Sequence, residues 1–484
     1  MRFVEPFRPS SPSTAPRARR FLSSAARVGW LAVFLGPVLQ AAEGFDARGR
    51  MPLPESRQRS GDPAKGRDYL LNGDYLKSGV PLDIYRLVAG SKSANELGRE
   101  GENATLPAAM TAVTAPNGEV VASTNCLGCH AQPLKGEFVL GLGNSLRDFT
   151  KNAATTANLV DGMLRLKSGA NSPAYEAFVP FRDAIRAAAP HIRTQVAGTN
   201  PALKLAYVLA AHRDPETLEW SNEPLLPLPP ESEVIPSDVP ALWLLRKKNA
   251  MFHNGMGRGD FARSMMASSL LTMQGAEEAA EIDEKFVDVL AFINTLEAPP
   301  FPGKIDPDLR AKGERVFSVN CSGCHGRYGE EESYPNLLVS LEEIGTDPAL
   351  ALAAIEQNEV HASVYNHSWF GQGEHGARLV PLPGYVAPPL DGVWATAPYL
   401  HNGSVPTLEA LLDSTKRPTH WRRSFSPRDY DLDRVGWKFS EESSGGDKHV
   451  YDTTLPGHSA DGHLYGDDLD ADERRAVIEY LKSL

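Results

Sequence analysis

The sequence is short of cysteine, of positive charge and of long apolar runs. Only four of its 484 residues are cysteines, which excludes a fold held together by many disulfides. Asp and Glu outnumber Lys and Arg by 61 to 49, giving a net charge of −12. No nucleic-acid partner is expected, because such proteins usually carry a basic surface. Hydrophobic residues make up 42% and charged residues 23%, as is typical of a soluble globular chain, and the length suggests two to four domains.

The apolar run Val28–Leu39 near the N-terminus has 12 residues, whereas a membrane-spanning helix needs about 20. Four arginines (Arg17, Arg19, Arg20 and Arg27) precede this run, and the small residues Ala41 and Ala42 follow it. This layout predicts a signal peptide at residues 1–42 that is removed on export. The mature chain is then periplasmic or secreted and keeps no stable membrane span. An uncleaved N-terminal anchor is the alternative interpretation.

The four cysteines all belong to two copies of one motif, C-x-x-C-H, at Cys126–His130 and Cys321–His325. This is the attachment pattern of c-type haem: two thiols bind the vinyl groups, and the adjacent histidine supplies the proximal iron ligand. A disulfide, a redox dithiol or a zinc site explains neither the paired histidines nor the wide separation of the motifs. The sequence therefore predicts two covalently bound haems c, held by Cys126, Cys129, His130, Cys321, Cys324 and His325.

Methionine, a frequent sixth iron ligand, is absent after the second motif; the last of the nine is Met273. The second haem should therefore be bis-histidine, open, or served by a ligand from the first half of the chain. We favour His463, just before the C-terminal helix pattern, and take His401 as the second candidate.

The sixth ligand of the first haem is less constrained, because several histidines and methionines are available to it. The segment 243–260 (WLLRKKNAMFHNGMGRGD) mixes aromatic, basic and glycine residues and is the candidate distal wall of this haem. Trp243 and His253 within it are the candidate catalytic residues. A surface loop with Trp243 in the core is the alternative.

Helix patterns flank the second motif: 308–320 runs directly into Cys321, and 470–484 resembles the closing helix of a cytochrome c domain. A similar pattern at 286–297 is followed by the breaker cluster Pro299–Gly303. We predict a mainly α protein of two cytochrome c-like haem domains with long loops and a few short strands. The domains are residues 43–300, which carry insertions, and residues 301–484.

Several stretches resemble the bacterial di-haem cytochrome c peroxidase superfamily. The signature is clearest at Thr396–Glu409 (TAPYLHNGSVPTLE). Other stretches are similar to the rubber oxygenase-like branch of this superfamily: Gly66–Tyr75, Gly141–Asn144, Pro388–Trp394 and Gly462–Gly466. Together they span most of the chain that follows the predicted signal peptide.

The resemblance implies two haem domains whose interface allows electron transfer. His463 stands about where the peroxidases carry a methionine ligand, and Thr396 and Pro398 match positions whose carbonyls help to hold calcium, so Ca²⁺ is a candidate cofactor. The catalytic glutamine and glutamate of the peroxidases have no aligned counterpart here. Trp243 resembles an aromatic residue near the active haem of the oxygenase.

Two functions follow from these observations. In the first, the N-terminal haem activates peroxide or dioxygen while the C-terminal haem relays electrons; in the second, the protein is an electron carrier or redox subunit without its own substrate. The chain is much longer than two minimal carrier domains, which favours the first. The expected partner is a small redox protein or a small-molecule oxidant.

Overall fold

The structure is a computed structural model that describes residues 44–90, 93–231 and 234–484, so the predicted signal peptide lies outside it. The α-helices of this part of the chain are labelled α1 to α15 in chain order. They are Pro63–Asn72, Leu82–Ala89, Leu127–His130, Ala153–Lys167, Pro173–Ala188, Ala202–Ala211, Phe261–Met266, Ala276–Ile293, Pro307–Asn320, Ser322–His325, Leu341–Ile344, Ala349–Glu356, Ser363–His367, Leu408–Leu412 and Ala471–Leu481.

The β-strands of the same residues are short and are labelled β1 to β15. They are Arg50–Pro52, Val80–Pro81, Met110–Thr114, Val120–Thr124, Ala131–Leu134, Glu137–Leu140, Gly257–Gly259, Leu337–Ser340, Ala377–Leu379, Gly384–Val386, His420–Arg423, Tyr430–Asp431, Gly436–Trp437, Phe439–Glu441 and Val450–Asp452. They form small antiparallel sheets with the orders β1-β8-β10, β14-β11-β15, β12-β13, β2-β4-β3, β5-β6 and β7-β9.

The predicted mainly α class is wrong. Helices account for 38% of the described residues and strands for 14%, spread over several small sheets. The sequence patterns identified the longer helices, but strands of two to five residues are too short for a clear two-residue alternation. Segments expected to be long loops therefore contain β-structure. Strand β4, for example, covers Val120–Thr124 just before the first motif.

Helices α9 and α15 cross at a glycine beside the second motif. Asp306 caps α9, with Pro307 in the first turn, and Asp470 and Glu473 form a capping box at α15. A Cβ atom at Gly313 would lie 1.9 Å from the Ala476 carbonyl oxygen. Only glycine allows the two backbones to approach this closely. The crossing fixes the end of α9, which leads directly into Cys321.

A second crossing, between α1 and α8, repeats this geometry. Asp62 caps α1, Pro63 follows it, and a Cβ at Gly66 would lie 1.8 Å from the Asp288 carbonyl oxygen. Both crossing glycines end the tripeptide Ala-Lys-Gly. Unlike α9, helix α1 does not lead into a haem motif. The sheet β2-β4-β3 and other connections lie between α1 and Cys126.

The described residues from Gly44 to Leu484 form one compact unit. Strands from either side of the predicted boundary at residue 300 pair with each other, β1 with β8 and β7 with β9. The boundary itself stays a prediction. In this part of the chain no helix is both long and apolar enough to cross a membrane.

Candidate haem sites

The second motif forms a tight turn at the end of α9. The His325 amide donates to the Cys321 carbonyl at 3.0 Å, and the short helix α10 covers Ser322–His325. The Nδ1 atom of His325 lies 2.8 Å from the Pro388 carbonyl oxygen. A carbonyl can only accept, so Nδ1 carries the proton and Nε2 remains available to a metal.

His463 stands opposite His325, with the centres of the two rings 6.1 Å apart. A histidine nitrogen binds a transition metal at about 2 Å and lies about 1 Å from its own ring centre, so two imidazoles on one iron have centres roughly 6 Å apart. The observed separation matches this value. The pair therefore has a spacing at which the two rings could hold one iron between them, and His463 as the ligand stays a prediction.

The loop that carries His463 is held from both sides. His463 has a left-handed backbone conformation, with φ of 49°, and its amide donates to the Ile344 carbonyl at 2.8 Å. Arg417 donates to the carbonyls of Gly462 and His463 at 2.7 and 3.2 Å. Burial, together with the nearby His325 and Arg417, lowers the pKa of His463 to about 4. The ring is therefore neutral at pH 7, which is the form that binds a metal.

The first motif is also a short helical turn, α3, but it is held by asparagines. Asn125 caps it by accepting the Leu127 amide at 3.0 Å, and Asn144 donates to the Gly128 carbonyl at 3.1 Å. The Asn200 side chain approaches the Cys129 sulfur at 3.5 Å. All four motif cysteines are free thiols rather than disulfides. Each motif therefore offers the two thiols and the histidine that haem c attachment requires.

His130 resembles His325 in its surroundings. Burial lowers the pKa of His130 to about 4, and the Pro240 carbonyl opposes this shift, as the Pro388 carbonyl does at His325. Within the described residues no histidine ring faces His130 as His463 faces His325. The two candidate sites therefore differ in whether a second histidine ring lies near the motif histidine.

The candidate His401 does not face either proximal histidine. Its ring stacks on Tyr385 with centres 3.9 Å apart, and burial followed by the charge of His253 lowers its pKa to about 3. His253 is also engaged, with Nε2 3.1 Å from the Asp238 carbonyl oxygen. His401 and His253 therefore lie close to each other, beside the segment that leads to Pro240.

His253 and His401 sit in two copies of the same turn, which the sequence shows as the short repeat Phe252–Gly255 (FHNG) and Leu400–Gly403 (LHNG). Phe252 and Leu400 have φ of 69° and 66°, and isolated bridges join Met251 to Gly257 and Tyr399 to Val405. The signal was present in the sequence, because each histidine lies thirteen residues after a proline, Pro240 or Pro388.

The two turns exchange contacts. The Val386 amide donates to the His253 carbonyl, and the Asp238 amide donates to the His401 carbonyl, both at 2.7 Å. Val386 and Asp238 each lie two residues before the proline whose carbonyl faces a motif histidine. Each turn therefore supports the segment behind the other copy's proximal histidine.

Trp243 is fully buried between the two motifs, as the alternative with Trp243 in the core expects, and its assignment as a catalytic residue stays a prediction. Its Nε1 atom donates to the Asp391 carbonyl at 2.8 Å. On one side the backbone links Leu242 to Gly141 and Gly141 to His130 by hydrogen bonds of 2.8 and 2.9 Å. On the other side Lys247 contacts both Asp391 and the Tyr328 ring, and the Tyr328 hydroxyl donates to the His325 carbonyl at 3.0 Å.

Thr396 and Pro398 flank Ala397, whose carbonyl accepts hydrogen bonds from Trp437 at 2.9 Å and Ser145 at 3.5 Å. Among the described residues no group of three or more His, Cys, Asp or Glu side chains could hold a metal ion. A calcium ion here would depend on backbone carbonyls, and the predicted Ca²⁺ site stays a prediction.

Residues 384–422 match the family model described as RoxA-like, cytochrome c-like. The matched segment includes Pro388 and the His401 turn, and it supports a RoxA-like di-haem cytochrome branch over this small region. A cytochrome c-like region indicates haem binding, but only one small region is indicated. The predicted pair of cytochrome c-like haem domains is therefore wrong. The broader likeness to the di-haem peroxidases is not part of this match.

Two relatives come from Sinorhizobium fredii, and both are uncharacterised proteins. The protein y4iJ is 33% identical over 253 residues, which cover 39% of this chain and 41% of the relative. The protein y4iM is 28% identical over 315 residues, or 56% of this chain and 69% of the relative. The chain thus spans less than half the length of y4iJ.

Proposed function

We propose that the protein is an exported di-haem c-type cytochrome, with one haem c on each C-x-x-C-H motif, that acts as an oxidoreductase. The observation that carries this proposal is the His325–His463 pair, with ring centres 6.1 Å apart and Nδ1 of His325 held by the Pro388 carbonyl. In this proposal His325 and His463 are the axial ligands of the second haem. Such a bis-histidine site has no free position, so it suits electron transfer.

The first haem, at Cys126, Cys129 and His130, is then the reactive site for peroxide or dioxygen. When bound, haem c supplies a one-electron redox centre and, where an axial position is free, a place for such a molecule. The lack of a histidine ring opposite His130 among the described residues supports this division of roles. Trp243, buried between the motifs and bonded to Asp391, is suited to connect the two sites.

The alternative is a pure electron carrier or redox subunit in which both irons have two strong axial ligands. The same connection through Trp243 would serve that function equally well. The two functions differ in the coordination of the first haem and can be separated by spectroscopy.

Pyridine haemochrome analysis of the purified protein should give two haems c per chain; a value of one or none would contradict the di-haem proposal. Electron paramagnetic resonance of the oxidised protein should show one low-spin and one high-spin haem. Cyanide should shift only the high-spin signal. Two low-spin haems in both redox states would leave the carrier as the function.

The proposal extends to export, because c-type haem in bacteria is attached outside the cytoplasm. The acidic net charge of −12 would favour a basic partner cytochrome through long-range attraction. A small-molecule oxidant is the alternative partner.

Calcium held by the Thr396 and Pro398 carbonyls belongs to the proposal as well, and removal of Ca²⁺ with a chelator before redox titration would test it.

A further inference from the structure

The Arg258 side chain is buried and has no partner among the described residues. Arg258 is on strand β7, and the residue is 8% exposed. In the part of the chain that the structure describes, its side chain makes no hydrogen bond, ion pair or ring contact, and its Nη1 atom is buried and unpaired. Burial alone lowers its pKa to about 10, which leaves it charged at pH 7. A buried charge of this kind is costly unless an anion accompanies it.

The other arginines that are equally buried among the described residues each have side-chain hydrogen bonds, although the Nε atoms of Arg99 and Arg213 are unpaired. Arg99 and Arg213 each donate to several backbone carbonyls, and Arg423 bonds to Ser145. Arg258 therefore differs from them by its missing partner and not by its burial. The fold supplies carbonyls or hydroxyls to three buried guanidinium groups and nothing to the fourth.

A second arginine lies directly opposite Arg258. In the antiparallel β7–β9 pair, Arg258 and Arg378 are in register, so their side chains leave the same face of the ribbon. Arg378 donates to the Gly371 carbonyl and to the Ala377 carbonyl, but no carboxylate of the described residues pairs with either arginine. Like charges at opposed positions of a ladder destabilise it, unless an anion lies between or beside them.

Other buried polar groups lie on the elements that adjoin this ribbon. Asn366 of α13 holds Leu379 of β9 through hydrogen bonds of 2.7 and 2.9 Å. The π-helical turn Asn358–Ala362 leads into α13 and carries His361, which is 3% exposed and stacks on the Tyr207 ring. Ser264, on the helix that follows β7, is also buried, and its hydroxyl partly opposes the burial that raises the pKa of Tyr365.

This region adjoins the first haem motif. Ser268 lies one helical turn after Ser264, and its hydroxyl partly opposes the burial that raises the pKa of the Cys126 thiol. Cys126, Phe261, Met266 and Phe370 belong to or pack against one hydrophobic core. A ligand near Arg258 would therefore lie on the side of the molecule that carries Cys126.

We propose that Arg258, supported by the positive charge of Arg378, forms a carboxylate-binding site beside the first haem motif. The carboxylate has two sources with the same chemistry: a propionate of the first haem, or a free small carboxylate that enters the site. A guanidinium binds such a group by two parallel charge-assisted hydrogen bonds. The inference rests on the proposed function only in placing a haem at Cys126.

The test compares the purified holoprotein with Arg258→Met and Arg258→Lys, using formate as the probe. Formate affinity is measured from the Soret band and, independently, from the rise in melting temperature, and the midpoint potential of each haem is measured by redox titration. Arg213→Met is the matched control, because it removes an equally buried arginine that donates to the carbonyls of Leu218, Leu270 and Met273.

If the occupant is a free carboxylate, Arg258→Met weakens formate binding by about tenfold or more, and Arg258→Lys retains part of it. If the occupant is a haem propionate, Arg258→Met lowers the midpoint potential of the first haem and leaves that of the second unchanged. Arg213→Met should lower the melting temperature without either effect.

The inference is overturned if Arg258→Met changes neither formate affinity nor the first potential, or if Arg213→Met changes them equally. The haemochrome assay separates this result from a failure of the proposed function. A chain without haem at Cys126 would give one haem per chain or none, and formate binding would still be read from the melting temperature.

Discussion

The two haem motifs carry the same residues on different supports. The second motif continues directly from α9, and His463 faces its histidine across 6.1 Å. The first motif follows a three-stranded sheet, and no histidine ring of the described chain faces His130. The difference teaches that the same five-residue motif can stand in different surroundings, and that the loops around it decide whether a second histidine ring lies near the motif histidine.

The surroundings of the two motifs also share three structural features. Each has a helix crossing at glycine, a proline carbonyl behind the motif histidine and a tyrosine hydroxyl bonded to the motif backbone. Four predictions use these matched features, from the largest expected effect to the smallest.

The largest effect is expected from His463→Ala. Removing the ring that faces His325 should convert the second haem from low spin to high spin, because its iron would lose a strong axial ligand. Electron paramagnetic resonance of the oxidised protein measures the change. His401→Ala is the control and should leave the spin state unaltered, because His401 stacks on Tyr385 instead. An unchanged spectrum for His463→Ala would mean that His463 does not bind the iron, and the two sites would then no longer differ by a second histidine ligand.

The two helix crossings should be destabilised alike when their glycine is replaced by alanine. Gly66→Ala and Gly313→Ala would place a Cβ within 2 Å of a carbonyl oxygen, at 1.8 and 1.9 Å, so each should destabilise the protein by roughly 1–3 kcal/mol or more. Urea unfolding measures the loss. Gly162→Ala, inside helix α4 with open space around it, should instead stabilise by about 0.5–1 kcal/mol. If only one crossing variant is destabilised, the two regions do not share this support.

The matched tyrosines test how firmly each motif is held. Tyr328→Phe removes hydrogen bonds of 2.6 Å from the Leu390 amide and 3.0 Å to the His325 carbonyl, so we expect a loss of about 1–2 kcal/mol. Tyr75→Phe removes longer bonds, 3.3 Å from the Cys126 amide and 3.2 Å to the Leu70 carbonyl, and should cost about 1 kcal/mol.

Urea unfolding of both variants gives the comparison, and Tyr465→Phe is the control. The Tyr465 hydroxyl donates to exposed Glu343 at 3.1 Å, so its loss should cost less than about 0.5 kcal/mol. A larger loss of stability for Tyr75→Phe than for Tyr328→Phe would mean that the tyrosine holds the first motif more firmly than the second.

The smallest effect concerns pH and the first region. Burial raises the pKa of Asp148, but hydrogen bonds from Lys448 and Thr150 outweigh it and lower the pKa to about 2. The folded pKa lies below the ordinary value of 3.8, so this stabilisation is present above pH 4 and is lost as the pH falls towards 2. Asp148→Asn should therefore cost about 1 kcal/mol at pH 7, allowing for solvent screening of the pair.

The difference between wild type and Asp148→Asn should shrink in urea unfolding as the pH is lowered from 4 to 2. Lys448→Gln should show a similar loss at pH 7, because it removes the same 2.7 Å ion pair. A difference that does not depend on pH would mean that the carboxylate charge contributes nothing there.

Sequence patterns identified α9, α15 and its capping box, because helix periodicity and capping depend on residues close in the chain. They also singled out His463, since the missing methionine left few ligand types. They did not reveal the small sheets, the exchange of contacts between the His253 and His401 turns, or the isolation of Arg258. The strands are too short for a clear alternation, and the two turns and the Arg258–Arg378 pair join residues more than a hundred positions apart, which no local pattern records.

The sequence by itself determined the haem motifs and the absence of a methionine ligand after the second one, because covalent attachment and ligand chemistry depend on residue type and short spacing. Only the tertiary structure decided that His463, and not His401, faces His325, that Trp243 is buried between the motifs, and that Arg258 lacks a partner. The physical reason is that distance and desolvation arise from packing between segments far apart in the chain.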